Sequence, residues 1–370
     1  MFLSGISTPT KNPVLFLGEG NFSFSASVVK MIVGLGESSD KVLFNHIWSS
    51  CFESDPSKFE LNEKNEEAAV VKEENKSFLL SRGCRVLDSL DAAHLEEDWR
   101  LSDIFFSKII FMFPHVGGKM KIDKNRRLLL NIIRSSRKVL SADGEIIITL
   151  CKGGNILQSQ INYINDETRS IGQGGTPFEL VKRPPSDTWK IIDLINEADC
   201  ILTKVEFFPS ELFEDYRQVG YRGLHKKFNV TGSVIHTIRK MEPRELSPIS
   251  EISGEPPSST STGQQQQSES ECFKSLYPLH HVHHLSFWLP KAKTSLDDSV
   301  VVSVLKETRV EEILVSWRTV ELYSQQGRHS QTIELEFSDP ARPLGHSRMV
   351  DILINVLGKS LESCGQVSLR

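Results

Sequence analysis

Two glycines between an apolar run and a helical segment are the first residues whose types could do chemistry. Gly18 and Gly20 stand in the run LFLGEGNFSF, directly after the apolar residues 13–17. Glycine allows the tight turn and the close backbone approach that a nucleoside cofactor needs after the first strand of a βαβ unit. A turn needs glycine even without a ligand, so the motif alone leaves both interpretations open. The pattern GxxxxGK[ST] does not occur in the sequence, which disfavours a P-loop nucleotidase.

An acidic residue after the second strand would hold the ribose hydroxyls of such a cofactor. Glu53 is the candidate and Asp55 is the near alternative. Glu53 follows Gly20 by 33 positions. That separation is longer than the spacing of about 20 that dinucleotide-binding proteins show.

The sequence Phe113-Pro114-His115 ends another apolar run, KIIFMF. His115 could accept a proton, or it could be a loop histidine held by backbone groups. For Phe113, packing within the sheet is the favoured interpretation. Ser23, Ser25 and His115 do not indicate a hydrolase triad, because the GxSxG turn is missing from the sequence.

Cysteines and one histidine cluster are the candidates for disulfide or metal chemistry. The six cysteines are far apart and form no CxxC pair, so we predict reduced thiols and no zinc ribbon. His280, His281, His283 and His284 have no companion cysteine or acid at a useful spacing. Exposed histidines at the entry to a domain are therefore favoured, and no metal site is predicted.

Strands must alternate with helices to position the first two motifs. Apolar runs predict strands at residues 13–17, 42–48, 84–87, 108–113, 145–150, 202–208 and 233–237. Helices are predicted at residues 22–33, 125–140 and 189–198. This pattern indicates βαβ units and a doubly wound, mostly parallel sheet in a Rossmann-like α/β domain at residues 12–241. The acidic, polar stretch 53–74 is interpreted as a solvated face.

A segment dense in Pro, Ser, Gly and Gln separates this domain from a second one. Residues 242–275 include the run SPISEISGEPPSSTSTGQQQQSESE and are predicted to be a disordered linker, because they have little apolar surface to bury. In residues 276–370, strands are predicted at 284–289, 310–323 and 330–337, with helices at 299–306 and 349–361. The β-α-β-β-α-β order is that of an α+β ferredoxin-like domain.

The distribution of charge indicates which kinds of partner the protein could bind. A net charge of −5 argues against a generic basic nucleic-acid binder. Eight Lys/Arg residues nevertheless lie within 119–138, and six lie within 217–240. Such blocks are either solvated faces or a surface that follows phosphates. Since the sequence contains neither a long apolar run nor an apolar leader, we expect no membrane partner and a cytoplasmic location, with the nucleolus as the alternative.

Longer motifs carry a family resemblance. The runs LGEGNFSFS, IIFMFPHVGGK, NRRLLLNIIRS and GEIIITL resemble S-adenosylmethionine-dependent rRNA methyltransferases that modify the ring imide nitrogen of uridine. This resemblance covers about residues 12–240. The run HHLSFWLP and the element order make residues 276–370 similar to the ferredoxin-fold anticodon-binding domain that ends phenylalanyl-tRNA synthetase.

The resemblance implies S-adenosylmethionine as cofactor and RNA as partner, with rRNA preferred and tRNA as the alternative. The cofactor-binding residues that it implies are Gly18, Glu19, Gly20, Asn21, Phe22, Glu53 and Asp91. It places the target base at Phe113, Pro114 and His115, where His115 could orient the base and Phe113 could stack on it once it is extruded. The basic blocks supply the RNA-binding candidates Arg126, Arg127, Arg222, Lys226 and Lys227.

The chain departs from this family at two places. Met112 stands where the family has Asn, and a thioether is a much weaker hydrogen-bond partner for a uracil edge than an amide. Residues 154–172 interrupt what would otherwise read LCKGQGGTP, so they are interpreted as an insertion near the site or as retained intron sequence.

Two functions follow from these observations. The first is an S-adenosylmethionine-dependent RNA methyltransferase with an RNA-docking C-terminal domain. The second is a non-catalytic RNA- or tRNA-binding protein built on a degenerate methyltransferase fold. The intact glycine turn favours the first function, whereas Met112 and the insertion favour the second. The C-terminal domain has ten Lys/Arg and eleven Asp/Glu residues, so its own affinity for RNA should be modest.

Overall fold

The computed structural model describes residues 3–6, 11–35, 43–52, 63–116, 121–151, 188–218, 232–248, 273–365 and 367–370. The chain divides into two compact units, Met1–Lys240 and Met241–Arg370. No helix among these described residues is both long and apolar enough to cross a membrane.

In the first unit, seven described strands form one sheet in the order β3-β2-β1-β4-β5-β7-β6. The strands are β1 (Val14–Leu17), β2 (Ile47–Ser50), β3 (Arg85–Leu87), β4 (Phe106–Met112), β5 (Leu140–Leu150), β6 (Cys200–Phe207) and β7 (Val234–Lys240). Strands β1 to β5 pair in parallel, and β7 pairs antiparallel with both β5 and β6. The sheet is therefore open and mostly parallel, as the sequence predicts.

Four described α-helices belong to this sheet: α1 (Ser23–Leu35), α2 (Glu63–Ser81), α3 (Ile122–Lys138) and α4 (Ile191–Glu197). The helix α3 buries Leu129, Ile132 and Ile133 on one face, which is the helical spacing that the sequence shows. Because parallel strands are covered on both faces, β1 is buried along its whole length.

Several elements differ from the sequence predictions; β5, for example, begins at Leu140, five residues before the predicted strand at 145–150. The predicted strand at 42–48 is displaced, since β2 begins only at Ile47. The polar stretch 53–74 overlaps α2, which the sequence did not predict as a helix. Its buried apolar residue, Leu79, lies near its C-terminal end, so most of the helix offers no apolar periodicity.

The second unit is an antiparallel sheet in the order β11-β8-β10-β9, with helices packed against it. Its elements are β8 (His281–Trp288), α5 (Asp298–Glu307), β9 (Leu314–Gln325), β10 (Arg328–Phe337), α6 (His346–Asp351), a π-helical segment (Ile352–Gly358), α7 (Lys359–Gly365) and β11 (Ser368–Leu369). This is the ferredoxin-like arrangement predicted from the sequence. Its core contains Phe287, Leu335 and Phe337 from the sheet, with Val304 and Met349 from the helices.

The predicted linker is shorter at its start than the sequence indicates. Arg244 forms ion pairs with Asp339 (2.8 Å) and Glu312 (2.5 Å), and Leu246 packs in the core of the second unit. Asp339 is almost fully buried, so its carboxylate requires a cationic partner such as Arg244. Residues 242–248 therefore belong to the second unit, whereas residues 249–272 of the predicted linker lie outside the described residues.

Candidate functional site

The strand order reverses between β1 and β4, which are neighbours in the sheet and have β2 and β5 on their other sides. In open α/β sheets, ligands bind in the crevice at the carboxyl ends of the strands at such a switch point. The glycine turn follows β1, and Phe113-Pro114-His115 follow β4. Both motifs from the sequence therefore lie at the two sides of this crevice.

The glycine turn depends on Gly18. This residue has a φ of +64°, and a Cβ atom added there would lie 2.4 Å from the ring of Phe111 on β4. The amide of Glu19 donates to the carbonyl of Ser50 at the end of β2 (2.8 Å), and Phe22 also has a positive φ of 57°. Gly20 lies exposed in the turn, where the absence of a side chain leaves its backbone accessible.

Glu19 is the buried acid of the turn. Its carboxyl group accepts hydrogen bonds from the amide of Ser25 (3.1 Å) and the hydroxyl of Ser25 (3.1 Å). The Ser25 hydroxyl also lies 2.8 Å from that of Ser49. Burial raises the pKa of Glu19 to about 7, although these hydrogen bonds lower it. Since the contributing partners are uncharged, a cationic ligand in the crevice would favour ionisation of this carboxyl.

Asn21 and Ser23 hold the turn against a segment from the far end of the sheet. The Asn21 amide donates to the carbonyl of Arg217 (2.7 Å), and the Ser23 hydroxyl donates to the same carbonyl (3.0 Å). The Arg217 amide in turn donates to the Ser23 hydroxyl (2.9 Å). The helix α2 also contacts the turn, since the Asn75 amide donates to the carbonyl of Asn21 (3.0 Å). The segment after β6 thus lies directly over the turn.

An aromatic cluster packs that segment in place. The Tyr216 ring is parallel to that of Phe113, with centroids 6.5 Å apart and an interplanar angle of 9°. Phe24 of α1 contacts Phe208, Phe213 and Tyr216 with centroid distances of 5.0–6.1 Å. Burial raises the pKa of Tyr216, and the nearby Glu19 and Cys151 raise it further. Phe113 is itself buried and packs against Phe208, which agrees with the favoured sequence interpretation.

Met112 has a specific polar neighbour. It pairs with Thr149 of β5, and the Thr149 hydroxyl donates to the Met112 sulfur at 3.3 Å. The following amide, that of Phe113, donates to the Thr149 carbonyl (3.0 Å). Thr149 is fully buried, so the residue at position 112 determines what this hydroxyl contacts at the end of β4.

His115 is half-buried, and its ring lies 6.1 Å from that of Trp189. Burial lowers the pKa of His115, so its imidazole is neutral at neutral pH and can accept a proton. The loop that carries it is fixed on both sides, because Pro114 is buried and the Val116 amide donates to buried Asn125 of α3 (3.0 Å).

The acidic residues predicted to bind the cofactor are only partly described by the structure. Glu53 and its alternative Asp55 lie outside the described residues. Asp91 is exposed and accepts a hydrogen bond from the amide of Ala93 (2.9 Å), which forms a local turn. Asp88, which the sequence reasoning missed, follows β3 directly, contacts the Cys51 thiol after β2 (3.4 Å) and pairs with Lys76 (2.5 Å). Burial would raise the pKa of Asp88, but the hydrogen bond from Lys76 lowers it below its ordinary value.

The position of Asp88 immediately after the run CRVL was a signal in the sequence that could have identified it. In contrast, the contributions of Tyr216, Asn75 and Thr149 depend on contacts between distant segments, for which the sequence shows no local pattern.

The basic residues of α3 that were predicted to bind RNA have different surroundings. Arg126 donates to the carbonyl of Thr188 through Nε (3.0 Å) and Nη2 (2.6 Å), whereas Arg127 is exposed. Arg134 and Arg137 likewise donate to the carbonyls of Glu197 and Asp199. Part of this basic block therefore joins α3 to the polypeptide around α4. Arg222, Lys226 and Lys227 lie outside the described residues.

The open sheet, the reversal of strand order and the glycine turn define a Rossmann-like α/β fold. The family described as BMT5-like, rRNA (uridine-N3-)-methyltransferase BTM5-like, matches residues 15–220. Since the match covers more than half of the chain, this protein belongs to that family.

The chain is similar to proteins that are named for a ferredoxin-fold anticodon-binding domain. It is 29% identical over 232 residues to the mouse ferredoxin-fold anticodon-binding domain-containing protein 1 homolog, covering 63% of this chain and 32% of that protein. It is 28% identical to the human protein of that name, with 63% and 31% coverage. The chain thus spans about a third of the length of these relatives. An uncharacterised Arabidopsis thaliana protein is 27% identical over 144 residues, which are 37% of this chain and 61% of that protein.

The chain is also weakly similar to solved structures. The LepI complex with SAM has a TM-score of 0.32 at 8% identity, covering 64% of this chain and 45% of that one. The glycopeptide N-methyltransferase MtfA complexed with S-adenosyl-L-methionine also has a TM-score of 0.32 at 8% identity, with 63% and 82% coverage. The strand order and the family match define the fold of the first unit.

Proposed function

We propose that this chain is an S-adenosylmethionine-dependent RNA methyltransferase that acts on the imide nitrogen of uridine, with rRNA as the preferred substrate. The observation that carries the proposal is the Gly18–Phe22 turn at the switch point, with the buried Glu19 carboxyl inside it. Family membership supports the choice of reaction.

The residues of the turn fit a cofactor that is both a nucleoside and a cation. The exposed backbone at Gly20 allows close approach, and Gly18 permits the positive φ that shapes the turn. The sulfonium and ammonium groups of S-adenosylmethionine would favour the ionised form of Glu19, which otherwise lacks a cationic contribution. Gly18, Glu19, Gly20, Asn21 and Phe22 would hold the cofactor, with Asp91 and Glu53 as the acidic contacts still to be tested.

The reaction requires positioning and removal of one proton. When bound, S-adenosylmethionine would supply an electrophilic methyl group to the uridine nitrogen. The S–CH3 bond would break as the N–CH3 bond forms, with S-adenosylhomocysteine as the leaving group. The His115 imidazole, kept neutral by burial, can accept the imide proton at a ring nitrogen. Pro114 and Asn125 hold the loop so that this histidine stays at the crevice. Phe113 packs against Tyr216 and so forms part of the wall of the site.

A second candidate function is a non-catalytic RNA-binding protein that still binds the cofactor. The contact between Thr149 and Met112 favours it, because a thioether occupies the place at which an amide could pair with the uracil edge. Loss of one polar contact to the reacting group costs about 1–3 kcal/mol, or about tenfold to a hundredfold in rate. We therefore expect weak methylation by the native chain and a higher rate for Met112→Asn.

Two measurements test these candidates. The first tests the cofactor site that both share, and the second separates them. Calorimetric titration with S-adenosylmethionine should show binding by the native chain and by Gly34→Ala, and loss of binding by Gly20→Val. Gly34 is a suitable control because an added Cβ meets nothing within 4 Å. Unchanged affinity in Gly20→Val would remove the cofactor assignment.

The second measurement is transfer of a labelled methyl group to total RNA by the native chain and by Met112→Asn. Transfer that rises in the variant supports the methyltransferase with an impaired site. Robust transfer by the native chain would show that Met112 is tolerated. If neither form transfers the methyl group although both bind the cofactor, the result supports the non-catalytic protein.

The positive charge of two segments supports RNA as the partner. The basic block at residues 217–240 should supply sequence-independent phosphate contacts, with Arg222, Lys226 and Lys227 as its candidates and Arg127 on α3 as a further exposed one. Counterion release then makes RNA affinity fall with salt concentration. Replacing Lys226 and Lys227 with Ala should flatten that salt dependence, whereas Lys204→Ala should not, because Lys204 is already paired with Glu206 at 2.9 Å. An unchanged slope would make the block a solvated face only.

A further inference from the structure

Three histidines from two elements of the second unit meet at one place. His281 and His283 belong to β8, and His346 is the first residue of α6. One potential ligand nitrogen from each ring lies within 4.8 Å of the others. The ring centroids are 6.0 Å (His281–His283), 6.1 Å (His283–His346) and 6.5 Å (His281–His346) apart.

Strand alternation explains why only two of the four clustered histidines take part. Side chains two residues apart share a face of a strand, so His281 and His283 continue the row of buried Leu285 and Phe287. The helices cover this same face, and α6 begins beside it after Gly345. His280 and His284 belong to the opposite set, where they face Glu336 (3.5 Å) and Glu334 (3.2 Å).

One ring is oriented as a metal-bound histidine usually is. The Nε2 of His281 lies 2.8 Å from the carbonyl oxygen of Leu344. Because a carbonyl can only accept, Nε2 must carry the hydrogen, and the lone pair is then on Nδ1. A backbone carbonyl that fixes the tautomer in this way is the usual outer partner of a histidine ligand. It also joins the loop before α6 to β8, the strand that supplies His281 and His283.

The donor set selects the class of ion. Imidazole nitrogen suits Zn²⁺, whereas Ca²⁺ and Mg²⁺ require oxygen ligands. Tetrahedral Zn–N bonds of about 2.0–2.1 Å place ligand nitrogens about 3.4 Å apart. Since the three nitrogens already lie within 4.8 Å of one another, small ring rotations suffice to reach this geometry.

We propose that His281, His283 and His346 bind a Zn²⁺ ion that links β8 to the start of α6. Three protein ligands leave the fourth position for a water molecule or an external ligand. The ion would hold together three imidazoles that lie side by side at the edge of the core. This site is independent of the crevice in the first unit, so the proposed methyltransferase function and the zinc site stand or fall separately.

The test uses the full chain, freed of metal by a chelator and then titrated with Zn²⁺ by calorimetry. We expect one ion per chain for the native protein. The variant His283→Ala should bind at least tenfold more weakly, whereas the control His284→Ala, on the other face of the same strand, should bind within twofold of the native chain. His346→Ala should match His283→Ala, and since His346 is exposed its truncation should leave the fold intact.

Co²⁺ substitution supplies a second measurement, because tetrahedral Co²⁺ gives intense visible bands that octahedral Co²⁺ lacks. These bands should appear in the native chain and in His284→Ala, and be lost in His346→Ala. Absence of stoichiometric Zn²⁺ binding would overturn the proposal. Equal losses in His284→Ala and His346→Ala would also overturn it, since binding would then depend on histidine content and not on this cluster.

Discussion

At the scale of single residues, the buried Glu19 contributes to the dependence of stability on pH. Its pKa is raised to about 7 in the folded chain from an ordinary 4.5. Between those values the unfolded chain binds fewer protons than the folded one, so the free energy of unfolding should fall as pH rises from about 4.5 through about 7. The full contribution amounts to about 3 kcal/mol.

The variant Glu19→Gln should remove this loss, while Glu211→Gln, at an exposed position, should leave it unchanged. The measurement is urea unfolding at several pH values. His236 acts in the opposite direction, because burial lowers its pKa to about 4 and stability due to it rises with pH between about 4 and 6.5. The difference between native and Glu19→Gln profiles cancels that contribution. Parallel profiles would contradict a raised pKa for Glu19.

At the scale of elements, the segment after β6 is held over the glycine turn by aromatic packing. Phe213 is almost fully buried, with its ring stacked on Phe208 at 5.5 Å and tilted against Phe24 of α1 at 5.0 Å. The same segment supplies the Arg217 carbonyl that Asn21 and Ser23 contact. Packing of this segment and the shape of the turn are therefore coupled.

Phe213→Ala should lower the free energy of unfolding by about 3–5 kcal/mol, because it leaves a cavity among aromatic rings. The adjacent Leu212 is 49% exposed, so Leu212→Ala should change stability by less than about 0.5 kcal/mol. Chemical denaturation of both variants provides the measurement. A cost for Phe213→Ala no greater than that for Leu212→Ala would mean that the cluster does not stabilise this segment.

At the scale of the whole molecule, the chain consists of two units that each have a hydrophobic core. The composition of residues 249–272 predicts that this connection is cut first by a protease. Limited proteolysis followed by mass spectrometry should yield two stable fragments, with the first ending after residue 248 and the second beginning near Phe273. Residues 241–248 should resist cleavage because Arg244 and Leu246 pack on the second unit. Simultaneous digestion of both flanks, or protection of residues 249–272, would contradict two independently stable units.

Much of the architecture was determined by local sequence patterns. Apolar runs placed β1, β4 and β5 to within a few residues, and helical spacing identified α3, since periodicity reports which face of an element is buried. The order of elements also identified the ferredoxin-like unit. The short motifs GEGNF and FPH were assigned to strand ends, and parallel pairing of β1 with β4 necessarily brings such ends together.

Only the tertiary structure decided which distant residues share a site. His346 joins His281 and His283 because α6 begins beside β8, and Tyr216 reaches Phe113 because the chain returns across the sheet after β6. Arg244 belongs to the second unit and not to the predicted linker, because the buried carboxylate of Asp339 needs a cation. The helix α2 forms although most of its length has no apolar stripe. The sequence determines these contacts as well, but through the packing of the whole chain, so no local pattern of residue types reveals them.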